Sequence, residues 1–508
     1  MTIHWEVAHP NAGAGSYTLS SWLFLRLLGL IYFAAFVSLA TQIAGLMCSQ
    51  GILPARDFLL ARRGWGPTRF LQIPTLCWWS ARDGFLRFLG WGGAGLSLLL
   101  VIGVAPVPVL ILLWAIYLSF FNVCRVFLGY QWDILLLETG FLAIFVAPFD
   151  LLPVFPPAAA PSSLVLWLLW WLLFRLMFCS GFVKLRSGDR NWRNLTALRY
   201  HYETQPLTTW TAWYARQLPD GFHKLSCVVM FAIELGAPLF VFAPPPLCYL
   251  AGAAFVLLML LILATGNYCF FNLLAIALSV LLFDDALWLP CFGRLLPGVE
   301  FSTHAPPRGG WPAWITLPLA LAVAVLSAEV ICHLFRFTAR WPKLLERLLE
   351  WLEPFRLVNG YGLFAVMTTQ RPEIIVEGSY DGATWQAYEF KWKPGDVLRR
   401  PRFVVPHQPR LDWQMWFAAL GCYHNTPWFG RFLVRLLRGS PEVLALLRKN
   451  PFADKPPRFI RAVTYDYRFT DFAARRATGA WWRRERRGLY SPVLSLREQS
   501  PDQLLSED

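Results

Sequence analysis

The sequence predicts a polytopic α-helical membrane protein of about nine spans, followed by a C-terminal soluble α+β domain containing a small β-sheet. Three observations carry that expectation. Of 508 residues, 56% are hydrophobic and only 15% are charged, against about 25% charged residues in an average soluble domain. Apolar runs of spanning length recur through the first two thirds of the chain. After Pro354 the pattern changes to polar sequence with short alternating segments. This composition excludes a simple soluble enzyme, a disordered scaffold and a disulfide-stapled secreted domain.

Residues 22–47 are apolar over 26 positions with Arg26 as the single charge, enough to cross a hydrocarbon core of ~30 Å with some tilt. No small-residue cleavage site follows, so the run reads as a retained first span. Further spans are expected at 85–104, 107–121, 134–149, 163–183, 225–243, 247–264, 270–289 and 312–335. The polar, aromatic loop 184–224 is too long for a simple connector and is the first place to look for function. At 341–351, WPKLLERLLEW alternates apolar and charged residues at helical spacing, which suits a helix lying in the membrane interface. The resulting division is a bundle over 1–353 and a soluble domain over 354–508. Within the latter, 362–368, 373–378, 385–392 and 459–469 read as strands, Ser379-Tyr380-Asp381-Gly382 as a hairpin turn, and 411–419 and 428–447 as helices.

The net charge of +14 is unevenly placed. Residues 354–508 hold 24 basic and 15 acidic side chains, a net +9, which leaves +5 for the rest of the chain. The nearest polyanion to a membrane-tethered domain is the lipid headgroup layer. The basic, Trp-containing runs KWKPGDVLRRPR and WWRRERRGLY therefore read as surfaces for membrane lipids, with no nucleic-acid partner. With nine spans the loops alternate, and one side collects most of the arginines and the tail, leaving Arg294 and Arg308 to the other. By the positive-inside rule the basic side is cytoplasmic.

The ten Cys residues are scattered, without a C-x-x-C, and suggest neither a zinc site nor a disulfide framework. His201 and Glu203 lack further ligands at metal-binding spacing, so no metal and no cofactor is expected. Ionisable groups inside the spans point to interior pairs or a polar cavity, because an unpaired charge in hydrocarbon is costly. They are Arg26, Asp133, Glu138, Arg175, Lys184, Glu234, Glu329 and His333, with Glu138, Arg175 and Glu234 mid-span. Lys184, at the end of a long apolar run, suits either a snorkelling anchor or a desolvated amine able to act as a base. There is no G-x-S-x-G nucleophile elbow and no P-loop.

The run RSGDRNWRNLTALRYHYETQPL at 186–207 resembles the signature of the lipase maturation factor family, G-D-x-x-W-R-x-L-T followed by H-Y-E-T-Q-P. The matching residues are Gly188, Asp189, Trp192, Arg193, Leu195, Thr196, His201, Tyr202, Glu203, Thr204, Gln205 and Pro206. GILPARDF at 51–58, YQWDILLLETG at 130–140, NGYGLF at 359–364, YEFKWKPGDVLRRPR at 388–402, RLDWQMWFAA at 410–419 and Asn450 to Phe452 with Trp481 to Tyr490 resemble other parts of the same family. The resemblance implies a folding or assembly factor, not a lipase, needed for certain exported lipases to become active. It implies the endoplasmic reticulum membrane in a eukaryote and the cytoplasmic membrane in a bacterium. It also implies that loop and tail act on the lumenal side, against the charge-based orientation. On this reading an exported client, such as a lipase, meets exposed Trp192, Trp210 and Trp213 together with Arg186, Asp189, His201 and Glu203. Residues 181–192 also resemble, more distantly, the vitamin K-dependent carboxylase type, in which a lysine at the place of Lys184 is a catalytic base. That alternative makes Glu138, Arg175 and Glu234 the walls of an enzyme pocket.

Overall fold

The computed structural model describes residues 16–155, 160–295, 310–337 and 341–496. Arg308, assigned above to the less basic side, and residues 497–508 of the tail lie outside them. Seven helices among the described residues are long and apolar enough to cross a membrane, or eight if one bent pair counts as a single span. They are α1 (Thr18–Ala40), α2 (Asp83–Ile102), α3 (Pro106–Val123), α5 (Ser163–Arg186), α8 with its continuation (Asp220–Phe240), α9 (Leu247–Thr265) and α12 (Ala313–Phe335). The membrane bundle is as expected, but the count of nine is corrected at two places. The helix at the fourth window, α4 (Gln131–Ile144), has 14 residues, about 21 Å at 1.5 Å per residue, which falls short of the hydrocarbon core. At the eighth window, α10 (Phe271–Val280) and α11 (Asp285–Leu295) meet at 102°.

Contacts from distant parts of the sequence meet both places. Asp285, at the bend, turns its carboxylate onto the start of α1, accepting from the Thr18 and Leu19 backbone N–H groups at 2.9 Å each. It thereby supplies acceptors to N–H donors that a helix N-terminus leaves unsatisfied. At one end of α4 Asp133 meets the C-terminal region, and at the other the Ile144 carbonyl accepts from the Trp311 indole at 3.1 Å.

Between the bundle helices and the C-terminal region lie α6 (Ala197–Thr204) and α7 (Trp210–Arg216), both within the polar loop. After α12 comes α13 (Lys343–Leu352), which has no buried residue, as suits an interface helix. The C-terminal region holds a four-stranded antiparallel sheet in the order β2-β1-β5-β6: β1 (Pro372–Ser379), β2 (Gln386–Ala387), β5 (Phe459–Phe469) and β6 (Trp482–Ser495). A small second sheet pairs β3 (Glu389–Phe390) with β4 (Leu447–Lys449). Helices α14 (Arg410–Leu420) and α15 (Pro427–Leu437) complete it.

The expected strands at 373–378 and 459–469 fall within β1 and β5, and 385–392 divides into β2 and β3. The expected helix 428–447 ends at Leu437, where Gly439 takes φ +65° and breaks it. Residues 362–368 form no strand, because they are pressed onto the bundle. A Cβ on Gly362 would come within 2.9 Å of Val183 in α5, and its N–H donates to the Gln131 side chain at 3.1 Å. One continuous apolar core runs from Phe24 in α1 to Ile460 in β5, so bundle and sheet share an interior.

Candidate functional site

The signature loop sits between the bundle and the C-terminal region and is bonded to both. Asp189 caps the short turn that follows α5, accepting from Asn191 N–H at 2.9 Å through one oxygen. Its other oxygen accepts from Met367 N–H at 2.6 Å. Trp192 is 2% exposed, and its indole N–H donates to the Phe364 carbonyl at 2.9 Å. Glu203 accepts from Phe469 N–H in β5 at 3.0 Å, and the Trp416 indole of α14 donates to the Thr204 carbonyl at 2.9 Å. Arg371, at the entry to β1, donates to the carbonyls of Glu203 and Pro206 at 2.8 Å each and also pairs with buried Glu373. Gln205 donates to the Thr265 carbonyl at 2.8 Å, which ties the loop back to α9.

Two expectations about this loop are corrected. Trp192 and Trp213 are buried, not exposed for a client: Trp213 stacks edge-on to Trp481, and the Arg475 guanidinium lies 4.7 Å from its ring centre. Trp210 is only partly exposed, beneath Arg400. The indoles are large apolar bodies, and the C-terminal region supplies their contact area and, for Trp192, the acceptor. Of the other signature residues, Tyr202 and Thr204 are buried, Thr196 stands at the start of α6, Arg186 is half-buried in the last turn of α5, and Arg193 is exposed.

The interior charges form pairs that sequence alone could not assign. Arg175 of α5 is bonded to Glu138 of α4, and the segment after α13 completes that site. The second Glu138 oxygen accepts from Asn359 N–H at 2.9 Å and from the Tyr361 hydroxyl at 2.7 Å. Arg410 of α14 donates to both oxygens of Asp133 at 3.1 and 3.2 Å and to the Phe127 carbonyl at 2.6 Å, with all three residues buried. These pairs fasten the C-terminal region to α4 from within. Sequence reasoning missed Arg410, Arg371, Asn359 and Tyr361 as partners. The usable signal was the motif pairing itself, since an aspartate such as Asp133 at a span end needs a distant counter-charge.

Lys184 and Glu234 form the third pair, with Nζ 2.6 Å from each carboxylate oxygen. Lys184 is buried, so the snorkelling reading is corrected. Gly181 permits the approach, since a Cβ there would fall 2.9 Å from the Glu234 Cβ. Glu234 lies in a π-helical turn (Ala232–Gly236) that continues α8, a local widening that re-aims side chains and recurs at functional sites. The pair faces a cavity of about 470 Å³ between α5, α8 and α9, roofed by Trp192, His201 and Phe364. The Tyr268 hydroxyl donates to Gln205 Oε1 at 3.0 Å and so accepts from His201 Nε2, also at 3.0 Å. Removal of the His201 ring from water, aided by the Lys184 charge, lowers its pKa to about 4, so the ring is neutral at physiological pH. Glu203 is pushed upward by burial, against the pull of its Phe469 N–H bond and of Arg216 and Arg371. Among the described residues no group of three His, Cys, Asp or Glu side chains is placed to hold a metal ion.

A second concavity lies at the end of the bundle that carries the C-terminal region. It measures about 900 Å³ and is lined by Arg56, Arg63, Arg69, Trp78, Trp79 and Arg82, among others. Trp79 is 82% exposed, and Trp65, Phe70 and Leu71 are also exposed nearby. Arg435 of α15 reaches this end, donating to the Ser49 carbonyl at 3.0 Å.

Residues 19–289 match the lipase maturation factor transmembrane domain, and residues 357–492 match the lipase maturation factor C-terminal domain. The chain is 38% identical to lipase maturation factor 2 of Gallus gallus, over 96% of this chain and 82% of that protein. It is 38% identical to lipase maturation factor 2 of Homo sapiens over 97% and 85%, and 36% identical to lipase maturation factor 1 of Bos taurus over 96% and 90%. No solved structure matches the chain. Nothing in these comparisons supports the carboxylase-like alternative.

Proposed function

The chain belongs to the lipase maturation factor family, and we propose that it acts as a membrane-embedded folding factor that helps an exported client, such as a lipase, reach its active form. The observation that carries this reading is similarity along nearly the whole chain, body and C-terminal region alike, to proteins named for that role. In this account the chain divides into a membrane body, 1–353, and a soluble region, 354–508, and the latter faces the lumen of the endoplasmic reticulum or its bacterial equivalent. The signature loop holds the two together. The client meets the basic, aromatic cleft around Trp79 and Arg82, where exposed indole and guanidinium groups provide the side chains that dominate protein–protein contacts.

The test is co-expression with a secreted lipase. Trp79→Ala combined with Arg82→Ala lowers secreted lipase activity by about tenfold, the loss expected when a contact hot spot is removed, while the amount of folded factor in the membrane is unchanged. Undiminished lipase activity in that variant contradicts the assignment of the cleft.

A further inference from the structure

We infer that the cavity between α5, α8 and α9 binds an uncharged membrane lipid, an acyl chain bearing an ester or hydroxyl head, with the head beside Lys184 and Glu234 and the chain leaving between α8 and α9. The volume, about 470 Å³, falls in the range of small-molecule sites. Its walls are apolar, from Leu176 and Met177 on α5 to Leu258 and Ile262 on α9. Its ionisable groups, Lys184, His201 and Glu234, gather with Ser180 at one part of the lining.

The mouth is lateral. Leu225 and Val229 of α8, and Leu257 and Leu261 of α9, line the cavity and are also exposed on the outside of the bundle. These residues belong to helices of spanning length, so the opening faces hydrocarbon, and what enters from there is a lipid.

The head chemistry follows from charge and donor counting. The ammonium of Lys184 and the carboxylate of Glu234 cancel each other, and His201 is neutral, so the polar end offers no net charge. A phosphate or free carboxylate would be buried there without a counter-ion, which is strongly unfavourable. Lys184 has three N–H donors and commits two to Glu234, which leaves one for an ester carbonyl. Ser180 Oγ donates to the Leu176 carbonyl at 2.6 Å, and its lone pairs remain to accept from a ligand hydroxyl. This inference stands apart from the identity of the client.

The test uses the full chain in phosphatidylcholine nanodiscs, irradiated with a diazirine-tagged diacylglycerol or a diazirine-tagged phosphatidic acid. The diacylglycerol probe labels peptides of α5, α8 and α9, and phosphatidic acid does not. Val229→Trp and Leu261→Trp each reduce that labelling by about tenfold; both positions lie at the exposed mouth, so the larger side chain blocks entry without overpacking the core. Equal labelling by phosphatidic acid, or diacylglycerol labelling that survives both tryptophans, overturns the assignment.

Discussion

Asp133 and Arg410 show what a single side chain contributes here. Each is fully buried and is the other's counter-charge, so removing one leaves an uncompensated charge in a medium that solvates it poorly. Asp133→Ala therefore costs about 3–5 kcal/mol, read as a lower melting temperature of the purified factor. Combining Asp133→Leu with Arg410→Met restores much of the loss, because a well-packed apolar pair of similar volume avoids the desolvation penalty. His201 makes a pH-dependent contribution. Its folded-state pKa is about 4, against an ordinary value of about 6.5. As the pH falls through about 6.5 the unfolded chain takes up a proton that the folded chain refuses until about 4. The stability from His201 is fully present above that window and is lost on acidification across it. His201→Gln flattens part of the decline in melting temperature between these limits; His407, also lowered to about 4 mainly by burial, holds another part.

At the scale of elements, what the sequence reveals depends on where the determining contact lies. The spanning helices were legible because twenty or so apolar residues in a row have few other uses. Strand β5 was legible because apolar and polar residues alternate in its sequence from Val463 to Phe469, and β1 because its short apolar run Ile374-Ile375-Val376 leads into the Ser379-Tyr380-Asp381-Gly382 turn. By contrast β6 carries Arg483, Arg484, Arg486 and Arg487, all exposed, and read as a basic surface run; its strand character comes from pairing with β5 along its length. The bend between α10 and α11 was hidden for a similar reason, since Asp285 bonds to the start of α1, far away in sequence. The signature loop was found by its motif, but its mode of action was not. Aromatic and polar residues that read as a client surface turned out to be spent on contacts with residues 364–371, 416 and 469, which no local pattern announces.

For the whole molecule these contacts tie body and C-terminal region together. The bonds of Asn359 and Tyr361 to Glu138 and the pair of Asp133 with Arg410, together with the loop from Asp189 to Pro206, join them across a shared core. On the proposed function, the client surface lies on what remains exposed at that end, the cleft around Trp79. The central claim, that the signature loop is an interlock and not the client surface, is tested most directly by measuring secreted lipase activity per folded factor across a set of variants. For Trp192→Ala, a large core truncation costing about 3–5 kcal/mol, and for Glu203→Ala, folded factor and lipase activity fall together and their ratio stays constant. For Trp79→Ala with Arg82→Ala the ratio itself falls. A Trp192 or Glu203 variant that keeps its full complement of folded factor yet loses lipase activity would contradict the account.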